Sequence, residues 1–170
     1  MQTDPIDVRC PCCGGCAHFH EPFRFVSTSR TTALPENMHR WGRVMVEELY
    51  PDQFTWKQPE SERPLFHYSS DEDGPGYHLN HRGIVECETC ATSRKATIRW
   101  PEAAYWQWEV SGHPLVARNR AHAEQILDFL RERNRSPNRR PSLRRIPTQL
   151  LTKRLAPEVR RRVGRDLELA

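Results

Sequence analysis

Six cysteines, four of them packed into "CPCCGGC" at residues 10–16 and two in "CETC" at 87–90, constrain this chain more than any other feature. A ribbon-type tetrahedral metal site takes two thiolates from each of two tight turns, spaced C-x2-C, because that interval lets one turn of backbone present both sulfurs to one ion. The turn also directs backbone N–H groups at the sulfurs, and a glycine after the second cysteine eases the backbone angles. Cys10-Pro11-Cys12-Cys13-Gly14 meets both conditions. Cys13-Gly14-Gly15-Cys16 has the spacing but is followed by Ala17, and Cys12 with Cys16 has the wrong interval. The second pair, Cys87 and Cys90, is unambiguous. The expected ligands are therefore Cys10, Cys13, Cys87 and Cys90, with Cys12 and Cys16 as spectators or occasional substitutes. Four thiolates leave no open coordination position, so the expected cofactor is one structural zinc ion.

The rest of the composition agrees with a fold in need of such a support. The chain has 170 residues, only 36% of them apolar, and fourteen are proline. A core assembled from so little apolar material is thin, and thin cores are commonly supported by metal or disulfides. No segment approaches the roughly 18 apolar residues of a membrane span. The opening "MQTDPIDVRC" lacks the charged-then-apolar pattern of a secretory signal, so the cytoplasm is expected, where thiols serve as ligands or catalysts.

Along the chain, residues 1–8 read as a loose tail. "AHFHEPFRFV" (17–26) reads as a strand interrupted at Pro22. In "PENMHRWGRVMVEELY" (35–50), Met38, Trp41, Met45 and Leu49 recur at helical spacing behind Pro35, which predicts an amphipathic helix despite Gly42. Residues 51–76, with four prolines and Asp71-Glu72-Asp73, read as an irregular excursion. Strands are predicted at 77–90, 95–100 and 105–110, then a turn and a short strand within 111–118. "NRAHAEQILDFLRERNR" (119–135) predicts a helix capped by Asn119, with Ala123, Ile126, Leu127 and Leu130 on its apolar face. Residues 136–147 form an Arg/Pro/Ser connector. Leu151, Leu155, Val159, Val163 and Leu167 then recur every four residues, divided by Pro157 into a short turn and a final helix. The fold class expected is α+β: a zinc-ribbon-like antiparallel β core over 1–118 with an insertion at about 35–76, then a helical basic region over 119–170.

"CPxCGG" before a strand, followed far along by C-x2-C entered from a strand, resembles the zinc-ribbon group. The stretch from "PLVARNRAHAEQ" to "APEVRRRV" is similar to uncharacterised bacterial zinc-ribbon-containing proteins, a likeness that implies architecture but no activity. The 73 residues between Cys13 and Cys87 exceed what a compact ribbon needs.

Charge points to a partner. Residues 1–130 hold 13 Lys+Arg against 18 Asp+Glu, whereas residues 131–170 hold 13 against 4. Arg139, Arg140, Arg144, Arg145, Lys153, Arg154, Arg160, Arg161, Arg162 and Arg165 supply most of this excess. A helix docked through Val159 and Val163 would leave such arginines facing nucleic-acid phosphates. Arginine provides 23 of the 26 basic residues, which codon bias in a GC-rich genome would also produce. The expected role is thus a non-enzymatic nucleic-acid-binding or regulatory protein. The alternative is a protein-interaction module meeting a protein partner through its acidic body and its aromatic strands, although Trp106 and Trp108 share a strand face and suit a core.

Two enzymatic readings are weaker. "NHRGIVECETCATSRK" (80–95) faintly resembles the second half of an HNH nuclease, but Ala91 stands where that family has histidine, and no Asp-His pair lies upstream at ordinary spacing. A redox pair of Cys13 and Cys16 would be expected to open a helix, yet strand follows. Cys12, Cys16, His18 and His20 offer a second candidate metal set. Gly14-Gly15 and "GPG" at 74–76 fit no nucleotide-binding fingerprint.

Overall fold

The computed structural model describes residues 5–27, 36–42, 44–58, 82–132 and 141–169. His78, His81, Arg139 and Arg140 lie outside these, as do most of the 51–76 excursion, the start of the 77–90 strand and the end of the 119–135 helix.

The fold is α+β. Among the described residues, nine strands precede two helices: β1 Ile6–Arg9, β2 Cys16–His20, β3 Phe23–Ser27, β4 Met38–Trp41, β5 Val44–Glu48, β6 Arg82–Cys87, β7 Thr92–Thr97, β8 Gln107–Val110 and β9 His113–Val116, then α1 Arg120–Arg131 and α2 Ala156–Leu169. Two short 3-10 turns, Pro141–Leu143 and Thr148–Leu151, lie between the helices. The strands form a four-stranded antiparallel sheet in the order β1-β2-β6-β7, a three-stranded sheet β3-β5-β4 and a hairpin β8-β9.

Alternation dictates the first sheet. In β2, Ala17 and Phe19 are buried while Cys16, His18 and His20 face the other way and are half-exposed. Phe19 lies opposite Val85 and Ile6. Gly83 permits this close approach, because a Cβ there would stand 2.2 Å from the His20 carbonyl oxygen. Pro22 has no N–H to extend a ladder, and the chain breaks there into β2 and β3 as its sequence predicts.

Residues 35–50 correct the predicted helix. Met38–Trp41 and Val44–Glu48 form the β4–β5 hairpin, in which Trp41 pairs with Val44 and Gly42 sits at φ 60°. Helical spacing of Met38, Trp41 and Met45 is real, but three influences oppose the helix. Glycine in a helix interior costs about 1 kcal/mol. Val44 and Val46 are β-branched and favour strands. β3 also needs a partner, and it obtains β5 through Phe25↔Val46 and Phe23↔Glu48. Leu49, expected on the apolar face, is 42% exposed.

Residues 6–8 correct the loose tail. β1 is an integral strand with Ile6, Asp7 and Val8 all buried. Asp7 joins distant elements: its Oδ2 accepts from Trp106 Nε1 at 2.7 Å and from the Arg120 backbone N–H at 2.9 Å, at the start of α1.

The C-terminal part follows its apolar pattern closely. Asn119 caps α1, its side chain accepting from the His122 N–H at 2.9 Å. Ala123, Ile126, Leu127 and Leu130 are buried together with Phe129, and they meet Val159, Val163 and Leu167 of α2 in one core. Trp106 and Trp108 belong to that core, and Trp108 Nε1 donates to Asp166 Oδ2 at 2.8 Å. The β8–β9 turn, Ser111-Gly112, takes φ 52° and 75°, the double positive φ of a type I′ hairpin. Strand β7 begins at Thr92 and ends at Thr97, three residues earlier at each end than the predicted 95–100.

Candidate metal centre

Each cysteine pair occupies the loop of a hairpin. Cys10 follows β1 and Cys13 stands three residues before β2, while Cys87 ends β6 and Cys90 precedes β7. Because β2 pairs with β6, the two loops emerge side by side at one end of the sheet. The residue after each second cysteine takes positive φ: Gly14 at 74° and Ala91 at 50°. Glycine does so without steric cost, whereas Ala91 holds the left-handed conformation at a penalty of about 1–2 kcal/mol. In the first loop the Gly14 N–H donates to the Cys10 carbonyl at 2.9 Å, and the Cys10 N–H to the Gly15 carbonyl at 2.8 Å.

The four sulfurs of Cys10, Cys13, Cys87 and Cys90 lie within 4.8 Å of one another. The shortest approaches cross between loops: Cys10 to Cys90 and Cys13 to Cys87, both 3.6 Å. A disulfide would require about 2.05 Å, and all six cysteines are free. A tetrahedron with metal–sulfur bonds of about 2.3 Å has edges of about 3.8 Å, so these spacings suit one ion held by four thiolates. This set is able to hold a metal ion.

Electrostatics call for a cation. The N–H groups of Cys13 and Cys12 point at Cys10 Sγ and hold its thiol down at about 6, the Cys12 N–H lying 3.4 Å from that sulfur. For Cys13 the Gly15 N–H acts in the same lowering direction, but the neighbouring Cys87 sulfur and burial outweigh it and raise the thiol to about 12. Four thiolates this close repel one another too strongly to ionise together without a positive ion among them. Thr92 Oγ1, 3.1 Å from Cys90 Sγ, is placed to donate to a thiolate.

The remaining cysteines stand outside the group. Cys12 is exposed on the first loop, and burial pushes the Cys16 thiol up to about 11. Cys12, Cys16, His18 and His20 do not gather into a metal-binding set among the described residues.

The predicted phosphate-contacting arginines fall into separate situations. Arg161 donates to Glu158 at 2.7 and 2.9 Å, and Arg165 donates to Asp166 at 2.8 Å. Arg162 also bonds Glu158, as well as the Glu109 carbonyl. Hydrogen bonds from Arg161 and then Arg162 hold the Glu158 carboxyl down at about 2. Arg144, Arg145 and Arg160 are exposed. Within α2 itself, four arginines face three acids, Glu158, Asp166 and Glu168, so the helix carries a net charge of only +1. The basic excess lies upstream instead: residues 131–155 hold nine Lys+Arg against Glu132 alone.

Asp7 and Glu48, both buried, are polar residues that sequence reasoning missed. No helix among the described residues is long and apolar enough to cross a membrane. In comparison with known proteins, no family model, no curated protein and no solved structure matches the chain. What the structure shows is four thiols gathered by two hairpin loops.

Proposed function

We propose that this chain is a non-enzymatic cytoplasmic protein built on one structural zinc in a zinc-ribbon arrangement, and that it engages nucleic-acid phosphates through its basic C-terminal region. The observation that carries the metal reading is the convergence of four thiols from two hairpin loops. Sulfur donors in a four-coordinate set select zinc over harder cations. With every coordination position filled by protein, no site remains for a water or substrate, so the zinc supports the fold and does no chemistry. Cys10, Cys13, Cys87 and Cys90 are its ligands.

The phosphate reading rests on charge. Arg139, Arg140, Arg144, Arg145, Arg160, Arg161 and Arg165 are its contacts, and carboxylates already hold Arg161 and Arg165. The alternative of a protein partner bound through the aromatic strands loses support from the burial of Trp106 and Trp108.

Gel-shift titrations on DNA and RNA at several salt concentrations test this reading. Each phosphate contact contributes a slope of about −0.9 in log K against log salt on B-DNA. Replacing Arg144, Arg145 and Arg160 with glutamine should weaken binding on any sequence and flatten the slope. The double change Arg161→Gln, Arg165→Gln should have a smaller effect. Unchanged affinity in the triple variant would refute the phosphate reading.

A further inference from the structure

The face of the first sheet opposite its apolar core carries a row of polar side chains that the thiol centre does not use. The strand registers place Asp7, His18, Glu86 and Ser93 side by side across β1, β2, β6 and β7. His20, two residues along β2 from His18, shares this face, and the two imidazole centroids are 6.5 Å apart. His20 Nε2 lies 3.3 Å from Glu86 Oε2. All three side chains are accessible: 43% for His18, 30% for His20 and 46% for Glu86.

Asp7 gives this row a directional character. Its Oδ1 lies 3.0 Å from His18 Nδ1, while Trp106 and the Arg120 N–H occupy Oδ2. A carboxylate fixed in this way accepts a hydrogen bond from the Nδ1–H tautomer of His18, in which Nε2 is the ring nitrogen that carries a lone pair. Hydrogen bonding of one ring nitrogen to a carboxylate is the usual way a metal-ligating histidine is oriented.

We propose that His18, His20 and Glu86 form a second metal site, for a divalent transition-metal ion of the imidazole-binding class, with Asp7 as a positioning residue. Two imidazoles and one carboxylate suit nickel, copper or zinc. Three protein ligands leave coordination positions open to water, unlike the closed thiol set. The ligand atoms are not drawn together in advance, since among the described residues only the four thiols are. The ion would replace the His20–Glu86 contact, with His18 held by Asp7 and Glu86 supplied from the neighbouring strand β6. Burial lowers the affinity of His20 for protons, which keeps its imidazole neutral and available. This inference stands apart from the proposed phosphate binding and concerns a different face.

The test is nickel(II) titrated into the untagged, full-length, zinc-loaded protein, followed by calorimetry, with zinc content and histidine ring resonances monitored. One nickel ion per chain should bind while the zinc stays in place, and paramagnetic broadening should centre on the His18 and His20 rings. His18→Ala and His20→Ala should each lower affinity at least tenfold, and Glu86→Gln by less. Asp7→Asn should cost about 10–100-fold without loss of zinc, as expected of a group acting through His18. Absence of nickel binding by the wild-type protein would overturn the proposal. So would broadening at other histidines, retained affinity in both alanine variants, or nickel entering only by displacing zinc.

Discussion

The two cores of this protein differ in kind. Around the helices, seventeen buried residues from Trp106 to Leu167 form one apolar cluster among the described residues. Behind the cysteine hairpins the cluster has eight, and two of these are Cys10 and Cys87. The helical core is held by apolar area, at roughly 25 cal/mol per Å2 buried. The hairpin core is too small to rely on that, and its ligand sulfurs serve as part of its packing. A metal ion held by the four thiols, as proposed, would compensate where apolar material is short.

Metal removal should separate the two cores most sharply. Structural zinc contributes about 10–16 kcal/mol of apparent binding energy in small peptides. Chelation should therefore abolish amide-exchange protection in β6 and β7 while α1 and α2 stay protected. Loss of protection in both at the same chelator concentration would show one cooperative unit instead.

Asp7 joins the two regions, and a smaller perturbation tests that joint. Trp106→Phe removes one donor from a buried carboxylate, at a cost of about 1–3 kcal/mol. Urea unfolding should show this loss with zinc content unchanged. An unaltered midpoint would mean that the indole–carboxylate bond adds nothing.

The smallest expected effect is confined to the helical core. His122 is partly buried, its Nδ1 accepting from the Arg118 N–H and its Nε2 donating to the Ser142 carbonyl, both at 3.1 Å. Burial, the largest influence, lowers its pKa in the fold. The unfolded chain then binds the proton more readily, so the contribution of His122 is complete above the ordinary histidine pKa of about 6.5 and declines as pH falls through it. The decline ends below the folded pKa. The difference in stability between wild type and His122→Gln should accordingly shrink between pH 7.5 and pH 5.5. A constant difference would contradict this.

Where the sequence was legible, local chemistry and final structure agreed. The C-x2-C spacings marked the four thiols that converge, Pro22 marked a strand break, Asn119 a cap, and the four-residue recurrence of Val159, Val163 and Leu167 a buried face. Residues 35–50 misled because Met38, Trp41 and Met45 fit a helix face and equally the two limbs of a hairpin. The choice rested on pairing with β3, a tertiary fact. Asp7 was illegible for a similar reason. A charged residue near the chain start resembles a solvated tail, and its burial depends on donors 99 and 113 residues away. The arginines of α2 read as a free cationic face until Glu158 and Asp166 proved to hold Arg161, Arg162 and Arg165.

Zinc stoichiometry across single cysteine variants tests the central claim most directly. Native mass spectrometry after mild chelation should find one zinc per chain in the wild type, in Cys12→Ser and in Cys16→Ser. It should find none in Cys10→Ser, Cys13→Ser, Cys87→Ser or Cys90→Ser, provided the protein is purified under reducing conditions. A wild-type protein without zinc, or zinc that depends on Cys12 but survives loss of Cys10, would contradict a closed centre of these four thiolates.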